Sequence, residues 1–197
     1  MRLIGLCGRS GSGKGMFCNT ALENGFVVID CDKVYREIVS RPSECLLEIA
    51  DNFGAEVIKD NALDRRYLAS IVFSDPEKLK LLNTITHKYI TAEVQNIISG
   101  LHDSEIVVLD APTLFESGMN EICDLIIGVV APDSLCISRI MARDNITEAD
   151  AISRLSNQLP VEKIIEYSDC LLYNDSTLTD FKNDSLALVN DIKEGSV

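Results

Sequence analysis

Basic residues are scarce in this chain of 197 residues: 18 Lys and Arg stand against 31 Asp and Glu, for a formal net charge of −13. A polyanion would be repelled by such a chain at long range, which argues against general binding to nucleic acid or to anionic membranes. Any site for a phosphate group must therefore be local. We expect the partners to be small molecules and the chain to be a monomer or a small homo-oligomer.

Paired cysteines and long apolar runs are also lacking. The seven cysteines form no C-x-x-C pair, and no histidine stands at metal-ligand spacing from them. We therefore interpret them as small buried residues of a reduced protein. No apolar run is long enough for a signal peptide or a membrane span, which predicts a cytoplasmic protein.

Low-complexity linkers and internal repeats are missing as well, which together with a hydrophobic content of 46% predicts one main domain. Five apolar runs are typical of buried strands, and helical patterns separate them. Such alternation predicts an α/β fold with a doubly wound, parallel, five-stranded sheet. The predicted strands lie at residues 3–6, 26–29, 105–110, 125–130 and 170–173.

The segment Gly8-Arg9-Ser10-Gly11-Ser12-Gly13-Lys14 directly follows the first apolar run and fits the pattern G-x-x-x-x-G-K-[ST] up to its lysine. Glycines let successive backbone N–H groups converge on one point, and the start of the following helix adds its positive dipole end. The segment therefore predicts a phosphate loop in which Lys14 reaches the β and γ phosphates. The alternative is a glycine-rich turn that binds nothing, and the flanking strand and helix patterns disfavour it.

The last position of this pattern is not met. Gly15 stands where a Ser or Thr would place a hydroxyl on Mg²⁺, and glycine has no side-chain oxygen. The pattern therefore predicts phosphate binding but supplies no side-chain ligand for the metal that catalysis needs.

Carboxylates follow two of the predicted strands. Asp30 and Asp32 come after the second strand and Asp110 ends the third, where open α/β sheets bind their ligands. We expect Asp110 to face a Mg²⁺–nucleotide site. The alternatives are that Asp30 or Asp32 only caps a helix, and that Asp110 only forms a turn before a proline.

Arginines are concentrated on two consecutive helical patterns in the second half of the chain. Arg139 and Arg143 lie four apart on one pattern, and Arg154 and Gln158 lie four apart on the next. This favours a mobile lid that brings positive charge to phosphates when it closes. The alternative is that these arginines lie on helix faces exposed to water.

Taken in order, these segments resemble the dephospho-coenzyme A kinase family, which consists of phosphate-loop kinases of the nucleoside-kinase type that complete coenzyme A synthesis. The resemblance runs along the whole chain and depends on the order and spacing of short motifs. The matching positions are residues 4–6, 11–14, 28–32, 36, 63–65, 71–76, 82–83, 85, 87, 110–112, 114–116, 139, 143, 154, 158, 169 and 174.

The resemblance implies a fold with a P-loop kinase core at about residues 1–40, 104–138 and 168–197, a helical substrate region at about 41–103 and a helical lid at about 139–167. It implies that ATP donates its γ-phosphoryl group to the ribose 3′-hydroxyl of dephospho-coenzyme A. Asp32 would accept the hydroxyl proton, Lys14 would hold the donor phosphates, and Arg143 with Arg139 would neutralise charge.

The remaining site residues also follow from the resemblance. The residues expected to bind ATP are Gly11, Ser12, Gly13, Lys14, Gly15, Met16, Arg139 and Asn174, with Asn174 near the adenine. The residues expected around the acceptor are Arg36, Arg65, His87 and Asp110. Mg²⁺ is expected as the cofactor with no direct side-chain ligand, since Asp32 or Asp110 would hold it through water.

The sequence departs from the family pattern in and near the site. Gly15 replaces the metal-binding Ser or Thr, Met16 replaces a usual Thr, and Arg9 replaces a small residue of the loop. Lys88 stands where Pro usually follows the His, and Thr113 interrupts the Pro-Leu-Leu-Phe-Glu pattern. We expect a weakened but working kinase. The alternatives are a nucleotide- or coenzyme A-binding homologue that transfers no phosphate, and another small-molecule kinase such as a nucleoside kinase.

Overall fold

A computed structural model describes residues 1–72 and 75–197 of the chain. Its strands are β1 (Arg2–Cys7), β2 (Val27–Asp30), β3 (Ile58–Lys59), β4 (Ala62–Leu63), β5 (Ile106–Asp110), β6 (Leu125–Val130) and β7 (Cys170–Tyr173). Five of them form one sheet in the order β2-β5-β1-β6-β7, and β3 pairs with β4 alone. The predicted parallel sheet of five strands is therefore confirmed, and its crossover order places β1 at the centre.

The register of the central strands aligns their carboxyl ends. Leu6 of β1 lies opposite Asp110 of β5 on one side and opposite Ile127 of β6 on the other. The loop that follows β1 therefore leaves the sheet at the edge where β5 ends in Asp110. This is the edge at which parallel α/β sheets bind ligands.

The described residues contain nine α-helices. Their bounds are α1 Lys14–Glu23, α2 Cys31–Val39, α3 Glu44–Phe53, α4 Arg65–Val72, α5 Pro76–Ser99, α6 Asp133–Asp144, α7 Glu148–Ser156, α8 Val161–Tyr167 and α9 Leu178–Glu194. Several starts follow from the side chain before the helix. Thr147 and Thr177 each form a capping box with the Asp three residues later, and Ser43 accepts the N–H of Leu46.

Helix α5 begins with Pro76 at its first position, as the sequence predicts, and its N-cap is Asp75, whose side chain accepts the N–H groups of Glu77 and Lys78. The capping role that the sequence suggests for Ser74 and the end of α4 that it suggests at Phe73 lie outside the described residues. The sequence pattern after the loop predicts a helix from Met16 to Glu23, and α1 begins two residues earlier, at Lys14.

Two compact units divide the chain. The first unit comprises residues 1–29 and 102–197 and contains the sheet with α1 and α6 to α9. In its main core, Phe17 of α1 and Phe181 of α9 pack with Ile4 and Ile127 of the sheet, and all four are fully buried. At about 25 cal/mol per Å² of buried apolar surface, two such aromatic rings are major contributors to the stability of this unit.

The second unit comprises residues 30–101 and contains α2 to α5 and the β3–β4 hairpin. It has its own core, in which Leu46 and Ile49 of α3 pack with Leu68 of α4 and Ile85 of α5. The unit begins at Asp30, whereas the helical region was expected to begin at about residue 41, so that α2 belongs to it. The hairpin was not expected from the sequence, which predicted a mainly helical region.

No disulfide joins any of the seven cysteines, all of which lie within the described ranges. Burial raises the pKa of the Cys45 thiol to about 11 and that of Cys123 to about 12. These side chains are therefore neutral thiols near neutral pH. Among the described helices, none combines the length and the apolar character needed to cross a membrane.

Candidate active site

The loop after β1 has the conformation that its glycines permit. Gly8, Gly11 and Gly13 have φ values of 152°, 79° and 114°, which other residues rarely adopt. A Cβ on Gly11 would lie 2.7 Å from the carbonyl oxygen of Cys136, so the loop also requires glycine for space. The loop ends at Gly13, the N-cap of α1, where N–H groups without helical partners and the helix dipole favour an anion.

Lys14 is the first residue of α1, and its ammonium group donates a hydrogen bond of 2.7 Å to the carbonyl oxygen of Gly8. The side chain therefore folds back over the loop. A cation that is held across the loop in this way lies where a bound polyphosphate would need it. Gly15 and Met16 follow in the first turn of α1, with Gly15 exposed and Met16 half-buried.

Arg139 and Asn174 bond to the backbone of this loop. Arg139 of α6 donates to the carbonyl oxygen of Gly11 and to the side-chain oxygen of Asn174, both at 3.1 Å. Asn174, which follows β7 and is 4% exposed, donates in turn to the carbonyl oxygen of Ser12 at 2.7 Å. These two side chains therefore bind the carbonyl oxygens of Gly11 and Ser12, whereas the N–H groups of Ser10 and Ser12 are bonded to Gln158 and to the Arg9 carbonyl. The expected contact of Asn174 with adenine stays a prediction.

Arg9 and Gln158 connect the same loop to α6 and α7. Arg9 donates to Asp133 at 2.7 Å and to the carbonyl oxygen of Leu155 at 3.1 Å. Gln158 accepts the N–H of Ser10 at 2.9 Å and donates to the Ser10 hydroxyl at 3.1 Å. The loop is thus bonded to the helix pair that carries the arginines.

Arg143 lies apart from the loop, at the exposed end of α6. Its guanidinium donates two hydrogen bonds to Asp144, at 2.8 and 2.9 Å, and Arg154 of α7 donates to the same carboxylate. The hydrogen bond from Arg143 holds the pKa of Asp144 well below its usual range, and Arg154 adds to this effect. Asp144 therefore neutralises part of the positive charge of Arg143 and Arg154, which the sequence predicts to contact phosphates.

Asp110 is half-buried at the end of β5, and the Cys18 thiol of α1 lies 3.7 Å from its carboxylate. The structure thus brings this carboxylate next to the helix that begins at the phosphate loop. Within the described part of the chain, no three His, Cys, Asp or Glu side chains come together as a metal-binding group. A carboxylate in this position fits Mg²⁺, which is usually bound through one or two carboxylates together with waters and phosphate oxygens.

Asp30 and Asp32 differ in role in the second unit. Asp30 is the N-cap of α2, and its carboxylate accepts the N–H of Lys33 at 2.9 Å. Asp32 lies in the first turn of α2, exposed, and Arg36 is exposed one turn later on the same face. The capping alternative therefore holds for Asp30, and the Asp32 carboxylate is not the cap.

Arg65 and His87 also lie in the second unit. Arg65 is the exposed first residue of α4, and His87 is half-buried on α5. Burial raises the pKa of Tyr35 on α2 to about 12, with a smaller opposing effect from the charge of Arg65. The Arg65 guanidinium therefore lies close enough to Tyr35 of α2 for its charge to affect that pKa.

Lys88, one of the departures from the family pattern, has a structural role. Its ammonium lies 2.6 Å from the Glu48 carboxylate, which also accepts a hydrogen bond of 2.5 Å from the Tyr89 hydroxyl. These bonds join α5 to α3, and the one from Lys88 lowers the pKa of Glu48 most. The replacement of Pro by Lys thus adds a connection between two helices.

Sequence reasoning missed the contacts of Arg9, Asp133 and Asp144. The signal for Arg9 was present, because a large cation stands where the family has a small residue. The partners of this cation, Asp133 and the Leu155 carbonyl, could not be found from the sequence, since one is a common helix-start residue and the other is backbone.

Comparison with known proteins agrees with this geometry. The family model described as dephospho-CoA kinase matches residues 2–180. A dephospho-CoA kinase of Carboxydothermus hydrogenoformans is 33% identical over 190 residues, which cover 95% of this chain and 92% of that relative.

Solved structures give the same result. A crystal structure of a Thermus thermophilus protein has a TM-score of 0.80 at 29% identity and covers 96% of this chain and 97% of its own. The dephospho-CoA kinase of Campylobacter jejuni has a TM-score of 0.76 at 26% identity and is matched over 100% of both chains. The chain therefore belongs to the dephospho-CoA kinase family.

Proposed function

We propose that this chain is a dephospho-CoA kinase that transfers the γ-phosphoryl group of ATP to the ribose 3′-hydroxyl of dephospho-CoA, the last step of coenzyme A synthesis. Family membership supports the reaction, and the observation that carries it in the structure is the phosphate loop. The φ values of its glycines, the start of α1 and the Lys14 ammonium folded back on the Gly8 carbonyl support an anion site in this loop.

Each side chain near the loop has a proposed task. Lys14 leaves the Gly8 carbonyl to contact the β and γ phosphates, and the loop N–H groups hold the remaining phosphate oxygens. Arg139 keeps the loop in shape, and Arg143 neutralises charge on the transferred group. Such catalysis needs alignment and charge stabilisation more than covalent help.

On the acceptor side, Asp32 is the proposed general base that takes the proton of the ribose hydroxyl. Its support is its chemistry and its exposure, because Asp30 alone caps α2 and leaves the Asp32 carboxylate for another role. We propose Arg36, Arg65 and His87 as contacts of dephospho-CoA.

Mg²⁺ is the proposed cofactor. Asp110 would hold it through water, and the phosphate oxygens of ATP would supply direct ligands, because Gly15 provides no hydroxyl. When bound, the ion offsets the negative charge of the phosphates. We further propose that the protein acts in the cytoplasm, in keeping with its seven thiols outside any disulfide.

A pair of variants tests the reaction and the base. With ATP, Mg²⁺ and dephospho-CoA, Asp32→Asn should lower kcat by about 10²- to 10⁴-fold, because removal of a general base costs rate by that factor. Asp30→Asn is the matched control: asparagine also caps helices, so turnover should stay within about twofold of the unchanged protein.

Turnover is measured as ADP release in a coupled assay. Binding of a non-hydrolysable ATP analogue is measured by calorimetry. Equal rates for Asp32→Asn and the unchanged protein would remove Asp32 from the mechanism.

Gly15 favours one other function, that of a protein that binds nucleotide without transferring a phosphoryl group. Tight binding with no turnover at any Mg²⁺ concentration would support that function against the kinase.

A further inference from the structure

Arg9 holds an unusual position for a residue of a phosphate loop. Its side chain is only 13% exposed, whereas that of its ion-pair partner Asp133 is 59% exposed. The guanidinium is thus largely shielded from solvent and bonds to two helices from the loop. A buried cation depends strongly on its partners, because removing one of them leaves an uncompensated charge.

The two partners of Arg9 belong to different helices. Asp133 is the first residue of α6, and the Leu155 carbonyl belongs to the last turn of α7. The carbonyl end of a helix carries partial negative charge, so a guanidinium is favourable there. One side chain of the loop therefore bonds both the start of α6 and the end of α7.

Other contacts also hold the helix pair to the loop, among them close packing of Gly11 against the backbone of Cys136 in α6. Ala151 and Leu155 of α7 pack with Cys136 and Ile140 of α6 in a cluster separate from the main core. Ala131, which directly follows β6, belongs to the same cluster, and the pair lies in the first compact unit with the sheet. Apart from Arg9, the side-chain hydrogen bonds that join it to the loop in the described residues come from Gln158, just after α7, and from Arg139.

We propose that Arg9 is a positioning residue that clamps α6 and α7 to the phosphate loop and thereby sets where this helix pair presents Arg143 and Arg154 to bound ATP. Arg154 sits beside Leu155 in the last turn of α7, so a shift of that turn moves Arg154 and, through Asp144, Arg143. The effect on catalysis rests on the proposed function, whereas the clamp itself does not.

The clamp is tested on the full chain without ligand, by hydrogen exchange of the amides at residues 148–158. In Arg9→Met, which keeps an apolar side chain of similar length, exchange there should be about tenfold faster, because charge-assisted hydrogen bonds are lost. Asp133→Asn should give part of this effect. Lys182→Met, which removes an exposed cation paired with Glu23, is the matched control and should change nothing in this segment.

Kinetics then separates positioning from general damage to the fold. The KM for ATP should rise about fivefold in Arg9→Met, while the KM for dephospho-CoA stays within about twofold. Arg9→Lys should restore part of the ATP affinity, since one ammonium can still reach one partner. The double variant Arg9→Met/Asp133→Asn should be no worse than Arg9→Met, because both changes break the same contact.

Unchanged exchange at residues 148–158 in both Arg9→Met and Asp133→Asn would overturn the proposal, as would fully additive effects in the double variant. If Arg9→Met does not fold, Asp133→Asn alone decides by the same exchange measurement. Absence of turnover in the unchanged protein would instead count against the proposed function, and the exchange result would still decide the clamp.

Discussion

At the scale of single residues, Gly15 is the departure with the clearest chemical consequence. It lies exposed in the first turn of α1, directly after Lys14, and a Cβ built on it would meet nothing within 4 Å. Neither backbone conformation nor space therefore requires glycine here. The structure permits the hydroxyl that the family pattern places at this position.

We predict that Gly15→Ser lowers the Mg²⁺ concentration needed for half-maximal rate, because the serine hydroxyl supplies a direct ligand. Gly15→Ala is the control, because both alanine and serine are better helix formers than glycine and should stabilise α1 by less than about 1 kcal/mol. Only serine also adds a hydroxyl. The measurement is the rate of ADP release as a function of Mg²⁺ at saturating ATP. An equal shift in Gly15→Ser and Gly15→Ala would show that helix stability, not the hydroxyl, is responsible.

Single residues also show where sequence reasoning stops. The pattern around Asp30 and Asp32 predicted a capping residue and a free carboxylate but could not assign them, because either Asp can cap. In the structure Asp30 is the cap, because its carboxylate accepts a hydrogen bond from the backbone N–H of Lys33. The neighbours of Arg139 and Asn174 could not be predicted at all, since contacts between residues so far apart in sequence depend on how the sheet is ordered.

At the scale of elements, the β3–β4 hairpin is the clearest difference from expectation. Its turn is formed by Asp60 and Asn61, both with positive φ, at 53° and 62°. This is the conformation of a two-residue type I′ turn, which Asn and Asp tolerate. The strands contain only two residues each, too few for a period-2 pattern, so only the turn residues could have indicated them.

We predict that Asn61→Ala lowers the free energy of unfolding by about 1 kcal/mol, because alanine is strained in the left-handed region. Asn61→Gly should be neutral or stabilising, since glycine adopts this conformation freely. Urea unfolding followed by circular dichroism measures both. Equal stability of the two variants would mean that the turn contributes no conformational strain.

Long elements were predicted better than short ones. The five strands of the sheet were placed within about two residues, because buried parallel strands are nearly continuous apolar runs. Helix starts follow from equally local signals, since a Thr before a helical pattern, such as Thr147, by itself predicts a cap. The strand order and the boundary between the two units at Asp30 were not predicted, because both depend on long-range pairing and packing rather than on a local pattern.

At the scale of the whole molecule, five of the seven thiols share one physical state. Burial raises the pKa of Cys45 and Cys123 to about 11 and about 12, and it also raises the pKa of Cys7, Cys136 and Cys170. In an unfolded chain these thiols would ionise near their ordinary value of about 8.5. Folding therefore favours the protonated thiols.

This predicts a loss of stability at alkaline pH. A group whose pKa is raised by folding contributes stability below its unfolded pKa and loses it as pH rises through the folded pKa. The free energy of unfolding should thus fall from about pH 8.5 to pH 10, with most of the fall assigned to thiols. Urea midpoints across this range measure it under reducing conditions.

The control is the double variant Cys45→Ala/Cys123→Ala. Its free energy of unfolding should decline less steeply with pH, whatever its value at neutral pH. Slopes that are identical in the variant and the unchanged protein would rule out these two thiols as its source.

The apolar contacts between α6 and α7 have a consequence for local stability. Apolar side chains join these two helices to each other, whereas side-chain hydrogen bonds join them to the loop. Because water can replace such hydrogen bonds one at a time, the two helices should separate from the loop at a lower free-energy cost than from each other.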